Sequence, residues 1–240
     1  MVFASKRYAV KNRGTYYDQP RRAGMFLSRG PNKRAGSSFT RWSAPRSQLK
    51  RPAQKEVGYV DVASAAYPLD TTGSITLLNI VPQGASISQR VGKKIQLKSL
   101  QCRGYAYQGT TALINDIAYM VVYDKRPCGS MPAITDILES VSPAAFNNTQ
   151  NEGRFRVLKR VDFAMTGNTA TAGQQTETSV VSMDFFLDLK GLPTTFKAAG
   201  TGAIADQEDG ALYFVTVGRT AAGTSAAGLD CGFRLRYWDV

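Results

Sequence analysis

From Glu56 onward, apolar and polar residues alternate in short runs separated by Gly, Pro, Asn and Asp, the spacing of a β-sandwich or barrel. The pattern predicts eight strands, at roughly 56–63, 74–81, 93–107, 114–124, 154–165, 178–189, 210–219 and 229–239. In the fifth, Phe155, Val157, Val161, Phe163 and Met165 are expected on one face, in the core. Arg154, Arg156, Arg160 and Asp162 take the other, in water or against a partner. In the sixth, Val181, Met183, Phe185, Leu187 and Leu189 oppose Ser182, Asp184 and Asp188. The seventh is apolar on both faces from Leu212 to Val217, so it belongs in the middle of its sheet. The third changes phase twice: Ile95 and Leu97 are odd, Leu100 and Cys102 even, Tyr105 and Tyr107 odd again. Bends near Ser99 and near Gly104 are expected, letting one long strand serve two sheets.

Only Ile134, Ile137, Leu138 and Val141 sit at helical spacing, after Ser130 as a cap and Pro132 near the first turn; a short surface helix is predicted between strands four and five. Strands without alternating helices exclude a doubly wound α/β fold. The fold class expected is all-β, a single eight-stranded jelly roll over residues 56–240. An immunoglobulin-like sandwich is the alternative, but its Cys, Trp, Cys pattern is missing. The 240 residues suffice to bury a core without metals or disulfides.

Residues 1–55 show neither period and are punctuated by Gly14, Gly24, Gly30, Gly36, Pro20, Pro31, Pro45 and Pro52. Charge separates this arm from the rest. It carries fourteen Lys and Arg against the single acid Asp18, whereas residues 56–240 carry sixteen against seventeen acids. A nearly neutral body with a polycationic arm is the layout of a protein whose partner is a polyanion. The candidate nucleic-acid-binding residues are Lys6, Arg7, Lys11, Arg13, Arg21, Arg22, Arg29, Lys33, Arg34, Arg41, Trp42, Arg46, Lys50, Arg51 and Lys55. Tyr8, Tyr16, Tyr17, Phe26, Phe39 and Trp42 are interleaved with these charges, which suits either stacking on unpaired bases or docking on a neighbouring subunit.

The chain contains no histidine, which removes Ser-His and Cys-His nucleophile pairs and imidazole-based zinc sites. Cys102, Cys128 and Cys231 are far apart and odd in number, so neither a metal knuckle nor a disulfide framework is indicated, and a reducing compartment fits best. No phosphate-binding Gly loop is present, and no nucleophile, base and metal set points to an enzyme or a cofactor. Asp206, Glu208 and Asp209 are read as a solvated turn, with calcium at a subunit contact the sharper alternative. Asp124-Lys125-Arg126-Pro127 also reads as a solvated turn. Arg234 and Arg236 share a face of the last strand, where they meet nucleic acid, an acidic neighbour or only solvent. Lys6, Arg7 and Lys11 interrupt any apolar core of a secretory signal, and the longest apolar run, Ile117 to Tyr123, is far short of the roughly 18 residues of a membrane span. Neither secretion nor membrane partnership is expected.

The order of these features resembles the coat proteins of small single-stranded DNA viruses with circular, Rep-encoding genomes, and is similar to geminivirus and satellite necrosis virus coats. The resemblance is carried by the basic arm, by Gln89-Arg90-Val91-Gly92-Lys93-Lys94 and by Met120-Val121-Val122-Tyr123-Asp124-Lys125-Arg126-Pro127-Cys128-Gly129. It is carried also by Asn151-Glu152-Gly153-Arg154-Phe155-Arg156-Val157-Leu158 and by Phe233-Arg234-Leu235-Arg236-Tyr237. It implies a jelly-roll subunit that self-assembles into the smallest (T=1) icosahedral shell around single-stranded DNA. It also implies virion and host-nuclear localisation, with nuclear import receptors met by the runs Lys6-Arg7, Arg21-Arg22, Lys33-Arg34 and Lys50-Arg51. Geminivirus coats commonly carry a Cys/His cluster suggestive of zinc. This chain has no His, so a zinc-dependent DNA grip is not carried over. The alternative function is a sequence-tolerant single-strand binding protein that coats nucleic acid without closing a shell.

Overall fold

The computed structural model describes residues 55–108, 114–166, 180–197, 200–222 and 227–240. The arm residues before Lys55 lie outside this set. The strands are β1 (Val57–Leu69), β2 (Ser74–Leu77), β3 (Lys94–Tyr107), β4 (Ile114–Asp124), β5 (Phe155–Thr166), β6 (Val180–Ser182), β7 (Phe185–Phe196), β8 (Gln207–Asp209), β9 (Ala211–Gly218) and β10 (Ala227–Asp239). One α-helical turn, α1 (Ile134–Ile137), and a 3-10 turn at Thr149–Asn151 lie between β4 and β5.

All strand pairs are antiparallel, and they form two sheets. The first runs β1-β10-β3-β7-β8, with β6 also on β3, and the second runs β2-β9-β4-β5. With β6 and β7 taken as one interrupted strand and the three-residue β8 set aside, the orders become first-eighth-third-sixth and second-seventh-fourth-fifth. That interleaving is a jelly roll, because nearly every connection crosses from one sheet to the other. At the β1–β2 crossing, Asp70 Oδ1 accepts from Thr72 N and Gly73 N, both at 2.9 Å. Gly73 adopts φ +68, and a Cβ there would lie 2.3 Å from Ile134 Cδ1, so this tight crossing needs glycine.

Between the sheets, Phe214 of β9 meets Phe233 of β10 at 4.7 Å and Tyr67 of β1 at 5.3 Å between ring centroids. Tyr119 of β4 joins the same aromatic cluster at 5.9 Å from Phe214. β9 is buried along its whole length between β2 and β4, as its two apolar faces predict. Its second face is covered by the β4–β5 connection, which lays Ile134, Ile137, Leu138 and Ala145 on Met120, Val122, Tyr213 and Val215.

The strand phases differ from expectation in three places. In β3 the expected break near Ser99 is present and is the only one: Lys98 is the extra residue against β10, and against β7 it stands opposite three residues, Leu189, Lys190 and Gly191. Beyond it, Leu100, Cys102 and Ala106 keep pointing inward while Tyr105 is exposed, so no bend occurs at Gly104 and β3 stays in one sheet. In β5 the pairing slips at Leu158, where Val121 meets Lys159 but Val122 meets Val157. A one-residue bulge turns the strand over. Phe155 and Val157 therefore pack under α1, while Val161, Phe163 and Met165 pack between the sheets. The unbroken odd-numbered series in the sequence conceals this change of face. The predicted sixth strand is split at Met183-Asp184, and Val181 is 39% exposed rather than in the core.

The helix is also shorter than its apolar period suggests. Leu138 is already extended and bridges Asn147, because Asn148 N binds Ile137 O at 2.8 Å and the side chains of Asn148 and Asn151 donate to Thr135 O and Asp136 O at 2.9 Å. These donors capture the carbonyls that a second turn would use. The N-cap is Ala133, not Ser130.

Candidate nucleic-acid interface

The four body segments that carry the family resemblance meet in two pairs. Asp124 ends β4 and is fully buried, and Arg154, just before β5, grips it with Nε at 3.0 Å from Oδ1 and Nη2 at 2.8 Å from Oδ2. Asp124 Oδ1 also accepts from Arg126 N at 3.0 Å. Asp124 is thus the anchor of the connection and not part of a solvated turn. In the other pair, the Gln89–Lys94 segment docks on the end of β10. Tyr237 Oη donates to Gln89 O at 2.9 Å, and Val91 N donates to Asp239 Oδ2 at 2.6 Å. Arg90 is completely buried, with its guanidinium 4.2 Å from the Phe196 ring centre and Nη1 donating to Gly92 O at 2.7 Å. Burial pushes its pKa below the usual arginine range. Both pairs are joints of the fold.

The charged and aromatic side chains gather elsewhere, on the outer face of the β1-β10-β3-β7 sheet. Strand register assembles it: Arg236 lies opposite Tyr59 and Ser99, Arg234 opposite Asp61 and Gln101, Gly232 opposite Arg103, and Asp230 opposite Tyr105. Cross-strand partners share a face. Tyr59, Tyr105 and Phe186 are 38%, 45% and 63% exposed here, large fractions for aromatic side chains. Arg234 binds Asp61 through two contacts of 2.7 Å and lies 5.2 Å over Tyr59. That hydrogen-bonded guanidinium holds the Asp61 carboxyl below its ordinary value of 3.8. Among the described residues, Arg103 and Arg236 form no ion pair.

Of the predicted nucleic-acid-binding residues, Lys55 is the one described, and it sits on this face. Its Nζ donates to Gln96 Oε1 at 2.6 Å and lies 5.6 Å over the Trp238 ring, with Lys98 Nζ at 5.4 Å from the same ring. The other fourteen, from Lys6 to Arg51 and including Trp42, lie outside the described residues. Tyr59, Arg103, Tyr105 and Phe186 were missed in the sequence reading. Tyr59, Arg103 and Phe186 fall at outward strand positions in the alternation, whereas Tyr105 is expected in the apolar series beyond a bend at Gly104; only pairing brings the four together.

The remaining expectations resolve simply. Arg160 is only partly in water: it binds Asp162 and, through Nη1 and Nη2, the carbonyls of Ala145 and Pro143 at 2.7 and 2.6 Å, pinning the β4–β5 connection. Asp206 Oδ2 accepts from Thr201 N at 2.8 Å, and Glu208 and Asp209 stand exposed on β8. Among the described residues no three His, Cys, Asp or Glu side chains cluster closely enough to hold a metal ion. Cys102 and Cys231 are buried, Cys128 is exposed, and all three are free thiols. No described helix is long and apolar enough to cross a membrane.

The capsid protein of Miscanthus streak virus (isolate 91) is 29% identical over 159 residues, covering 60% of this chain and 62% of that protein. The coat protein of Maize white line mosaic satellite virus is 34% identical over 94 residues, 38% of this chain and 43% of its own length. The chain thus spans less than two thirds of either relative. A chain from the solved structure of Desmodium yellow mottle tymovirus aligns over 91% of this chain and 96% of its own, at 12% identity and a TM-score of 0.32. A family model matches residues 10–239, and the chain belongs to the geminivirus coat protein/nuclear export factor BR1 family.

Proposed function

We propose that this protein is a capsid subunit whose jelly-roll body, residues 56–240, packs against copies of itself to build a small icosahedral shell, and whose basic arm, residues 1–55, gathers single-stranded DNA inside it. The role is structural rather than catalytic. The observation that carries the reading is the charge partition, fourteen bases against one acid in the arm and sixteen against seventeen in the body, joined to a jelly roll of the coat family. Each neutralised phosphate releases a counterion, so a net +13 arm matches roughly a dozen nucleotides per subunit, and affinity falls with salt at a slope of about −0.7 per contact. The four dibasic runs of the arm are candidates for nuclear import signals.

Deleting residues 1–54 removes thirteen Lys and Arg and leaves every strand in place. The expected result is a chain with an unchanged β circular-dichroism signal that loses most of its affinity for single-stranded DNA and most of its salt slope. An unchanged affinity and slope would move the function to the sheet. The exposed Arg and aromatic side chains on the β1-β10-β3-β7 face favour, as a second reading, a single-strand binder that closes no shell. Particle formation separates the two.

A further inference from the structure

We propose that a depression centred on Gly232 of β10 receives one unpaired base of the bound single strand. The inference rests on the packaging reading above and adds to it a site on the body. The depression encloses about 520 Å³, and Gln101, Arg103, Tyr105, Asp230, Asp61 and Arg234 stand around it. Its origin is local. Along β10 the outward positions are Asp230, Gly232, Arg234 and Arg236, so Gly232 leaves a gap in a row of side chains. The neighbouring β1 bulges between Val62 and Ala65 at the same level, and its backbone becomes the wall. A Cβ on Gly232 would already lie 3.3 Å from Ser64 N and 3.4 Å from Val62 O, so any larger side chain occupies the floor.

The chemistry of the rim fits a base. A base has two apolar faces and an edge of donors and acceptors, so its site needs a flat apolar surface, polar groups beside it and a cation for the adjoining phosphate. The Tyr105 ring, 45% exposed, supplies the surface. It is held in place by its Oη donating to Asp230 Oδ2 at 3.2 Å, while Ser64 Oγ donates to Asp230 Oδ1. The Gln101 amide offers a donor and an acceptor, and exposed Arg103, which has no ion-pair partner among the described residues, offers a cation for the phosphate. The carboxylates on the rim disfavour a phosphate in the depression itself and favour amino-bearing base edges. Arm and pocket divide the work: the arm supplies salt-sensitive affinity, and the pocket fixes one nucleotide on the sheet.

The test uses the full-length chain and a single-stranded oligonucleotide of about a dozen nucleotides carrying 5-iodocytosine, whose amino edge suits the rim carboxylates, irradiated and mapped by mass spectrometry. Tyr105 is the expected adduct. Gly232→Leu, which fills the floor and changes no charge, should reduce that adduct at least tenfold while overall affinity and salt slope change by less than about twofold, because the arm is intact. Tyr105→Leu, a second variant that leaves the floor open, should abolish the adduct at that position with the same unchanged slope. Adducts confined to arm aromatics, or a Tyr105 adduct that survives Gly232→Leu, would overturn the pocket and leave the packaging reading standing. A full-length chain that does not bind the oligonucleotide at moderate salt would overturn both.

Discussion

Asp124 and Arg154 tie the two ends of the β4–β5 connection together through paired contacts of 2.8 and 3.0 Å, with the Asp124 side chain fully buried and the Arg154 side chain 27% exposed. The twenty-nine residues between them include α1 and the apolar cover of the second sheet. Removing one member leaves the other charge unpaired in a desolvated site. Asp124→Ala is expected to cost about 3 kcal/mol, toward the lower end for a buried pair because Arg154 keeps some water. In an Arg154→Met background the same change should cost at least about 1 kcal/mol less, the signature of direct coupling. Urea unfolding of the four proteins measures both values; additive losses would show that the pair acts independently.

The bulge at Leu158 makes Phe155 and Phe163 strangers despite their identical parity. Phe155 is buried beneath α1, and Phe163 is half-buried against Tyr119, ring centres 6.2 Å apart. Phe155→Ala should cost about 3 to 4 kcal/mol and Phe163→Ala about 2 to 3, since less of the second side chain leaves water. Acting in different clusters, their losses should add within about 0.5 kcal/mol. Strong coupling would return both to one face.

Arg160 holds the connection from outside by its grip on the Ala145 and Pro143 carbonyls. Arg160→Ala should leave the sandwich folded but open the segment near 140–150 to limited proteolysis, with the first cut appearing there several times faster than in the unaltered chain. Equal cleavage rates would mean that the apolar cover alone fixes the connection.

Alkali should expose the packing of the tyrosines. Burial pushes Tyr67, Tyr119, Tyr123 and Tyr237 from 10.0 to about 12. A raised phenol pKa contributes stability that is complete below pH 10 and is lost as pH rises toward 12, because the unfolded chain ionises first. Phenolate absorbance should therefore show a late group of tyrosines whose titration coincides with loss of the β signal. Full titration near pH 10 with the fold intact would contradict their burial.

The sequence-level reading and the structure part company where pairing matters. Alternation placed the strands, and the two apolar faces of Leu212–Val217 located β9 at the centre of its sheet. Alternation shows the phase break near Ser99 that the extra residue Lys98 produces, but it could not reveal the bulge at Leu158, where odd-numbered apolar residues continue on both sides of the change of face. Nor could it reveal that Asp124, in a stretch rich in turn residues, is buried by an arginine thirty positions away. The basic and aromatic face was visible only as separate outward positions near 59, 103, 186 and 234; hydrogen-bonded register assembles them. The role proposed for the arm rests on charge alone, since electrostatic attraction to a polyanion depends little on fold.

Electron microscopy of the purified full-length protein mixed with single-stranded DNA at moderate salt tests the coat assignment most directly. The account predicts uniform closed particles that protect the DNA from nuclease. Monomers or dimers at all protein concentrations, with the DNA bound along open complexes, would contradict it.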